Sequence, residues 1–270
     1  MDMTLLLTMG AVLLAIGAFA GVLAGLLGVG GGIILVPGFY YTFAALGFDS
    51  PELMRLCLAT SLATIIVTSI RSVMAHNKRG AVAWDVLKGW APGIAIGAIL
   101  GVLLVAQLRT AVLQIIFGGL AIFVGTYMTF GRAHWSLGDR MPTGPLRWML
   151  SPLVGFLSVL MGIGGGSFGV PVMTLYGMAI HRAVATAAGF GVLIAVPSVA
   201  GFLLTPMEFA PPFTVGSVNL VAFGLVIAMT LITAPLGASL AHRTDPARLK
   251  RVFGVFLILV ALNMLRKAII

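Results

Sequence analysis

Two glycine-rich runs are the parts of this sequence best suited to binding a ligand. Gly-x-Gly-Gly-Gly occurs at residues 28–32 and again at 162–166, and a proline follows each run, Pro37 after the first and Pro171 after the second. Glycine makes up 35 of the 270 residues and proline 13, so a chance second copy has a probability on the order of one in a few hundred. The chain is therefore interpreted as two copies of one unit.

A glycine run that interrupts a helix could bind a small anion through its backbone. Without side chains, an anion can approach the backbone N–H groups closely. The helix expected after each run also points its unpaired amides and its positive dipole end at the run. We therefore predict a central anion site at the two runs. Its predicted residues are Gly30, Gly31, Gly32, Ile33, Gly164, Gly165, Gly166 and Ser167. The alternative is that these glycines only let helices pack closely, as the series at Gly17, Gly21, Gly25 and at Gly93, Gly97, Gly101 are expected to do.

Hydroxyl side chains at matched positions in the two copies extend this site. Ala59-Thr60-Ser61 aligns with Ala185-Thr186-Ala187, so the match fails only at its third position. We add Thr60, Ser61 and Thr186 to the predicted substrate-binding residues. The alternative for each hydroxyl is a hydrogen bond to its own helix backbone.

Two arginines precede these motifs at similar positions. Arg55 and Arg182 are interpreted as a vestibule or gate that attracts anions, with snorkelling to the membrane interface as the alternative. Pro37 and Pro171 join the gate residues because each lies in the second turn of its expected helix, which it should kink or break.

The composition places all of this in a membrane. Apolar residues make up 60% of the chain and charged residues only 9%, against about 25% charged residues in soluble domains. The net charge of +9 comes from short clusters between apolar runs, a pattern that the positive-inside rule produces and nucleic-acid binding does not. We predict an all-α integral membrane protein with no extramembrane domain, with the lipid bilayer as its partner.

Ten apolar segments follow one another along the chain, five in each half. They cover residues 3–27, 33–46, 53–70, 81–106, 111–130, 146–161, 168–180, 183–204, 215–241 and 252–265. Because five is odd, a second copy must enter the membrane upside down relative to the first, an arrangement typical of secondary transporters. We predict two inverted repeats, residues 1–133 and 146–270, joined by a cytoplasmic linker at 134–145.

The segments beside the glycine runs are short. As helices, 146–161 and 168–180 would reach only about 24 and about 20 Å, less than the hydrocarbon core of about 30 Å. Segment 33–46 is similarly short, but segment 3–27 is long enough to cross unaided, which would make the first hairpin lopsided. We predict short or re-entrant hairpins whose glycine tips meet near the midplane.

The basic residues orient this arrangement. Threading all ten segments places twelve of them on the face opposite the N-terminus: Arg71, Lys78, Arg79, Lys88, Arg132, Arg140, Arg147, Arg182, Arg243, Arg248, Lys250 and Arg251. The four on the other face are Arg55, Arg109, Arg266 and Lys267. The positive-inside rule then predicts both termini outside the cytoplasm.

Enzyme and cofactor interpretations find less support. Gly165-Gly166-Ser167-Phe168-Gly169 matches the Gly-x-Ser-x-Gly of serine hydrolases, but the first copy has Ile33 in place of Ser167. A membrane-embedded hydrolase is kept as the alternative. No P-loop lysine follows either run, and the histidines and Cys57 lack metal-ligand spacing. We expect no cofactor, no metal and no catalysis.

The chain resembles the TauE/SafE sulfite exporter family, also called the 4-toluene sulfonate uptake permease family. The resemblance rests on Gly28 to Pro37, on Ala59-Thr60-Ser61 with Ser69, His76 and Gly80, and on the second copy through Ala185-Thr186. It implies a secondary transporter, interpreted as an exporter, that moves sulfite, organosulfonates or related sulfur-containing anions across a bacterial-type inner membrane. The sequence leaves open which anion is moved, in which direction, whether a coupling ion is used and whether the chain forms homo-oligomers.

Overall fold

The computed structural model describes residues 3–27, 31–131, 136–241 and 246–269. Within these ranges the chain forms ten α-helices and one short β-ribbon. The helices of the first half are α1 (Met3–Leu27), α2 (Gly32–Ala45), α3 (Leu53–Asn77), α4 (Trp84–Val105) and α5 (Thr110–Phe130). Those of the second half are α6 (Gly144–Leu160), α7 (Gly166–Leu175), α8 (Ile180–Leu203), α9 (Leu220–Ala241) and α10 (Pro246–Ile269), with β1 (Thr214–Val215) and β2 (Val218–Asn219) before α9.

Helix length and apolarity confirm an all-α membrane protein. Among the described residues, seven helices are long and apolar enough to cross a membrane, namely α1, α3, α4, α5, α8, α9 and α10. The three shorter apolar helices are α2, α6 and α7, which adjoin the glycine runs, whereas α1 before the first run is long enough to span. The 10 residues of α7 reach only about 15 Å, so the prediction of short glycine-rich segments is confirmed.

The α6–α7 pair is a hairpin whose outer ends lie together. The N–H of Leu137, which precedes α6, donates a hydrogen bond of 2.7 Å to the carbonyl of Leu175 at the end of α7. Asp139 also contacts Gly177 just beyond α7. Because α7 ends beside the segment that leads into α6, its glycine tip is the far point of the hairpin.

Connections that the threading assigns to one face of the membrane meet in the structure. The N–H of Thr110 donates to the carbonyl of Pro51 at 2.7 Å, which joins the α4–α5 and α2–α3 connections. The Arg55 side chain donates a hydrogen bond to the carbonyl of Pro206, which joins the segment after α8 to these two connections. We call this the first face, formed by residues 46–52, 106–109 and 204–219. The second face carries residues 78–83 and the connection from α7 to α8.

Glycines let the helices of the two halves pack closely against each other. The most extensive helix pairings are α1 with α9, α5 with α10, α4 with α6 and α3 with α8. A Cβ at Gly17 of α1 would lie 2.9 Å from Cα of Val226, and one at Gly97 of α4 would lie 2.7 Å from Cα of Pro152. These distances allow no side chain, so the packing role expected for both glycine series is confirmed at Gly17 and Gly97.

The structure corrects two sequence expectations. Segment 215–241 is not one helix, because Thr214–Val215 pairs antiparallel with Val218–Asn219 before α9 begins at Leu220. Neither Pro37 nor Pro171 breaks its helix, since α2 and α7 continue past them. Each proline costs one backbone hydrogen bond, which a helix packed among others tolerates.

Candidate functional site

The two glycine runs meet in the structure. Gly30 lies outside the described residues, but Gly31 and Gly32 begin α2. A Cβ at Gly32 would lie 3.0 Å from Cα of Ile163 in the second run and would also meet the Gly162 carbonyl. The backbones of the two runs are therefore in direct contact. We call the contact of residues 31–33 with residues 162–167 the glycine junction.

Gly162 allows the second run to turn. Its φ of +60° lies in the left-handed region that glycine adopts without strain. The turn closes the end of α6, because the N–H of Gly162 donates to Val159 and that of Ile163 to Ser158, both at 2.9 Å. The Gly162 carbonyl then accepts a hydrogen bond of 2.7 Å from the Ser61 hydroxyl of α3.

Unpaired hydrogen-bond donors collect at the start of α7. Its N-cap is Gly165, which offers no side chain to the first turn. The N–H of Gly169 donates to Gly165 at 2.7 Å, so the amides of the three residues before Gly169 have no acceptor within the helix. Ser167 is only 6% exposed, and its Oγ has no hydrogen-bond partner among the described residues. These donors make the second tip suited to an anion.

One face of α3 lines the glycine junction. Ser61, Ile65 and Ser69 follow one another at a spacing of four residues, which places them on one side of a helix. The Ile65 side chain would lie 3.2 Å from a Cβ at Gly32 and 3.4 Å from one at Gly164. Ser69 contacts Gly191 of α8 and lies close to Gly164. Sequence reasoning did not include Ile65, Ser69 or Gly191 in the site, although the four-residue spacing could have indicated the first two.

The threonines at matched positions make matched hydrogen bonds. Thr60 Oγ1 accepts from the N–H of Asn219 at 3.0 Å, and Thr186 Oγ1 accepts from the N–H of Ala83, also at 3.0 Å. Each donor is the residue before a helix, Asn219 before α9 and Ala83 before α4. Both threonines are fully buried. In this conformation they hold helix starts from the other half of the chain, beside the glycine junction rather than inside it.

Replacing either threonine with valine is expected to destabilise the protein. Thr60→Val and Thr186→Val each keep the side-chain volume but leave a buried backbone N–H unpaired, which costs about 1–3 kcal/mol. The measurement is thermal unfolding of purified protein in detergent. Ser198→Ala is the matched control, because the Ser198 hydroxyl donates only to Ile194 of its own helix. Melting temperatures as high as that of the control would show that these bonds do not support the fold.

The two arginines of the predicted gate lie in different environments. Arg55 is 5% exposed and makes hydrogen bonds to Ala106, Glu52 and Pro206. Arg182 is exposed at the start of α8. In the described part of the chain, neither arginine makes a hydrogen bond to the glycine junction, so the structure does not bring them to the central residues.

The two prolines predicted as gate residues each leave one backbone carbonyl at the junction without its helical hydrogen bond. A proline has no N–H for the carbonyl four residues earlier in its helix. For Pro37 that carbonyl belongs to Ile33, and for Pro171 it belongs to Ser167. Each helix start at the junction therefore carries a carbonyl that lacks its helical donor.

Ser167 makes no hydrogen bond to a general base in the described part of the chain. Its Oγ makes no hydrogen bond there, and His181 is exposed at the start of α8. His134 and His242 lie outside the described residues. The hydrolase interpretation needs a base within hydrogen-bond reach of the serine, and these surroundings offer it no support.

Comparison with known proteins identifies the family. The model of the sulfite exporter TauE/SafE family matches residues 13–264 of this chain. The chain belongs to the TauE/SafE sulfite exporter family. The match to the TauE/SafE model extends over both glycine runs and nearly all of the ten helices.

Individual relatives of this TauE/SafE protein carry transporter names. A probable membrane transporter protein of Haemophilus influenzae is 33% identical over 257 residues, which cover 94% of this chain and 97% of the relative. A probable membrane transporter protein of Methanocaldococcus jannaschii is 27% identical and is covered, like this chain, to 94%. No solved structure matches the chain. Family and relatives together make this TauE/SafE protein a multi-pass membrane transporter.

Proposed function

We propose that the protein is a secondary transporter that exports sulfite, organosulfonates or related small sulfur-containing anions. The observation that carries this proposal is the glycine junction, where two helix starts meet in the interior of a transporter of this family, with unpaired donors at the start of α7. Helix starts of this kind bind anions because backbone N–H groups and the helix dipole point at the ligand.

We further infer that residues 1–133 and 146–270 are inverted repeats. The register that pairs Gly101 with Gly237 makes Ala83 equivalent to Asn219, the two residues held by Thr186 and Thr60. The two halves thus exchange the same hydrogen bond with each other. Other contacts repeat in the same way.

Helix packing supports the same inference. Gly21 of α1 packs on the backbone of Thr230 in α9, and its equivalent Gly155 of α6 packs on the backbone of Ile94 in α4. Inverted repeats allow alternating access, because exchanging the conformations of the two halves moves the opening from one face to the other. The anion site between them stays in place.

The donors of the proposed site are neutral. The amides at the start of α7 and the Ser167 hydroxyl offer dipoles rather than a fixed charge. A transporter has to release what it binds, and neutral donors hold an anion less tightly than a buried ion pair would. Thr60, Ser61 and Thr186 contribute by positioning the helices around these donors.

The distribution of basic residues supports an orientation. With twelve basic residues on the second face and four on the first, we propose that the second face is cytoplasmic and that both termini lie outside. The membrane is the inner membrane of a bacterial-type cell. Arg132 and Arg243 of this set lie outside the described residues.

Energy coupling does not rest on a carboxylate near the junction in the described part of the chain. The described carboxylates lie in connections or at helix starts: Asp49, Glu52, Asp85, Asp139 and Glu208. A proton would therefore have to travel on the substrate or on another group, or the anion would move down its own electrochemical gradient. A pH gradient distinguishes these cases.

A panel of anions in proteoliposomes tests the proposed function. Sulfite, thiosulfate, sulfate, sulfoacetate and taurine are offered to purified protein with and without a pH gradient. We expect flux of at least one sulfur-containing anion at ten or more times the rate in protein-free liposomes. If every anion in the panel moves at the protein-free rate under both conditions, the proposed substrate class is wrong.

A further inference from the structure

A buried arginine ties together three segments of the first face. Arg55 lies near the start of α3 and donates from Nη1 to the carbonyl of Ala106 at 3.1 Å. From Nη2 it donates to Glu52 Oε1 at 2.7 Å and to the carbonyl of Pro206 at 2.9 Å. The α2–α3 and α4–α5 connections and the segment after α8 are thereby held by one side chain.

Glu52 completes this network. Its Oε1 pairs with Arg55, and its Oε2 accepts a hydrogen bond of 2.9 Å from the N–H of Glu208. The side chains of Arg55 and Glu52 are 6% and 25% exposed, respectively. Removing one partner of a pair that is buried to this extent is destabilising, because the remaining charge would be left without compensation.

The network closes the first face without being fully satisfied. Arg55 Nε is buried and has no hydrogen-bond partner among the described residues. A cavity of about 280 Å³ lies beside it, lined in part by Ser50, Gln107 and Arg109. One unpaired donor lowers the net stability of a buried polar network. The network therefore costs less free energy to open than a fully satisfied one would.

Among the described residues, the second face has no buried arginine network of this kind, although the Leu137 N–H donates to the Leu175 carbonyl there. The arginine in the similar position, Arg182, is exposed at the start of α8, and the N-cap of that helix is Ala179, which offers no acceptor side chain. The Arg55–Glu52 pair is the one salt bridge in the described part of the chain.

Exposure along α3 follows the same asymmetry. Residues 53–65, toward the first face, are all buried, whereas residues 66–77, toward the second face, are partly or fully exposed. The glycine junction touches α3 at Ser61 and Ile65, at the boundary between these two halves. The Arg55–Glu52 network thus lies on the side of the junction where α3 is fully covered by protein.

We infer that the Arg55–Glu52 network is a latch that holds the first face closed and favours the state open to the second face. The inference rests on the proposed function, because it takes the two faces to open alternately. A contact made in only one of two states shifts the population toward that state by its own free energy. Breaking the latch should therefore move the protein toward the opposite state, with the first face open and the second closed.

Cysteine accessibility tests the latch without any transport measurement. The chain has a single cysteine, Cys57, which is buried, so Cys57→Ala gives a cysteine-free background. Thr64→Cys reports on the buried half of α3, and Ser69→Cys reports on its half-exposed part. Membrane-impermeant maleimide is applied from each side of sealed vesicles. Gln107→Cys marks the first face and Lys78→Cys the second, both at exposed positions, so the assay does not depend on the proposed orientation.

Arg55→Met is expected to change the two labelling rates in opposite directions. Labelling of the Thr64→Cys variant from the first face should rise about fivefold or more, the range of a typical coupling free energy, and labelling of the Ser69→Cys variant from the second face should fall. Glu52→Gln should act in the same direction and carries the test if Arg55→Met fails to insert. Arg109→Met removes an equal charge from the same cavity and should change neither rate.

Two results would overturn the latch. Unchanged labelling in the Arg55→Met and Glu52→Gln variants would show that the network does not set the state. A rise from both faces together would show general loosening of the fold instead of a population shift. If the natural protein transports an anion but the labelling rates of these variants are unchanged, only the latch is refuted. If the two labelling rates change in opposite directions but no anion is transported, only the proposed function is refuted.

Discussion

Gly165→Ala is expected to prevent the protein from reaching a stable fold. A methyl group at Gly165 would meet Cβ of Phe190 and would lie 2.8 Å from the Ala187 carbonyl oxygen and 3.2 Å from the Gly191 nitrogen. Two of these three neighbours are backbone atoms of α8, which cannot rotate away as a side chain can. Overpacking of a core costs about 1–3 kcal/mol and more where backbone must move. We expect a loss at the top of that range or above it, measured as thermal unfolding and as the monodisperse fraction in detergent.

The control for this substitution is another glycine in a helix. Gly119 of α5 has nothing within 4 Å of an added Cβ, so Gly119→Ala makes the same chemical change without the clash. Its melting temperature should equal or exceed that of the natural protein, because alanine favours helix over glycine. If the Gly165→Ala protein had the same melting temperature as the Gly119→Ala protein, this would contradict the packing described at the start of α7.

Gly164→Ala is expected to abolish transport while leaving the fold intact. The nearest atoms to an added Cβ are Ile65 Cγ2 at 3.4 Å, Gly191 Cα at 3.7 Å and Ser69 Oγ at 3.9 Å. These are ordinary van der Waals distances, so the methyl group fits. It would nevertheless occupy space beside the backbone donors of α7, where a bound anion has to approach closely. We expect a decrease in anion flux of at least tenfold in proteoliposomes, with thermal stability within the range of the Gly119→Ala control.

The contrast between these two adjacent glycines separates packing from binding. If the glycine run served packing alone, the Gly165→Ala protein would fail to fold and the Gly164→Ala protein would transport normally. If the run binds the anion, both substitutions eliminate flux, but only Gly165→Ala also prevents folding. Flux by the Gly164→Ala protein equal to that of Gly119→Ala would leave the glycine run with a packing role only.

The sequence indicated the parts of the fold that hydropathy and glycine spacing control. The duplicated run predicted two helix starts, near Ile33 and Ser167, and Gly31 and Gly165 are the N-caps of α2 and α7. Apolar segment length predicted that α7 would be too short to span. These features depend on local sequence, because a helix needs about 20 apolar residues to cross the hydrocarbon core.

Helix partners could not be predicted in this way. Gly17 and Gly97 indicated close packing, but nothing in either series specifies that the partner is Val226 or Pro152. Lipid tails are as apolar as the side chains that face them, so hydropathy does not distinguish a lipid-facing helix surface from one that packs on another helix. The partners become visible only when the two halves are seen together.

The two gate arginines show the same limit at a single residue type. Arg55 and Arg182 precede matched motifs, and both are interpreted in the same way, as gate residues. Arg55 is buried because Ala106 and Pro206, far from it along the chain, supply carbonyl acceptors, and because Glu52 lies one turn before it. Asn219 was missed for a related reason, since its role before α9 depends on Thr60.

Equilibrium binding shows whether the glycine junction binds the transported anion. The probe is the anion that gives the highest flux in the panel, titrated into purified natural protein and into its Gly164→Ala and Gly119→Ala variants. Binding isolates the site from the conformational steps that flux also requires. We predict at least tenfold weaker binding to the Gly164→Ala protein and unchanged binding to Gly119→Ala. Equal affinity of the Gly164→Ala and natural proteins would contradict the account.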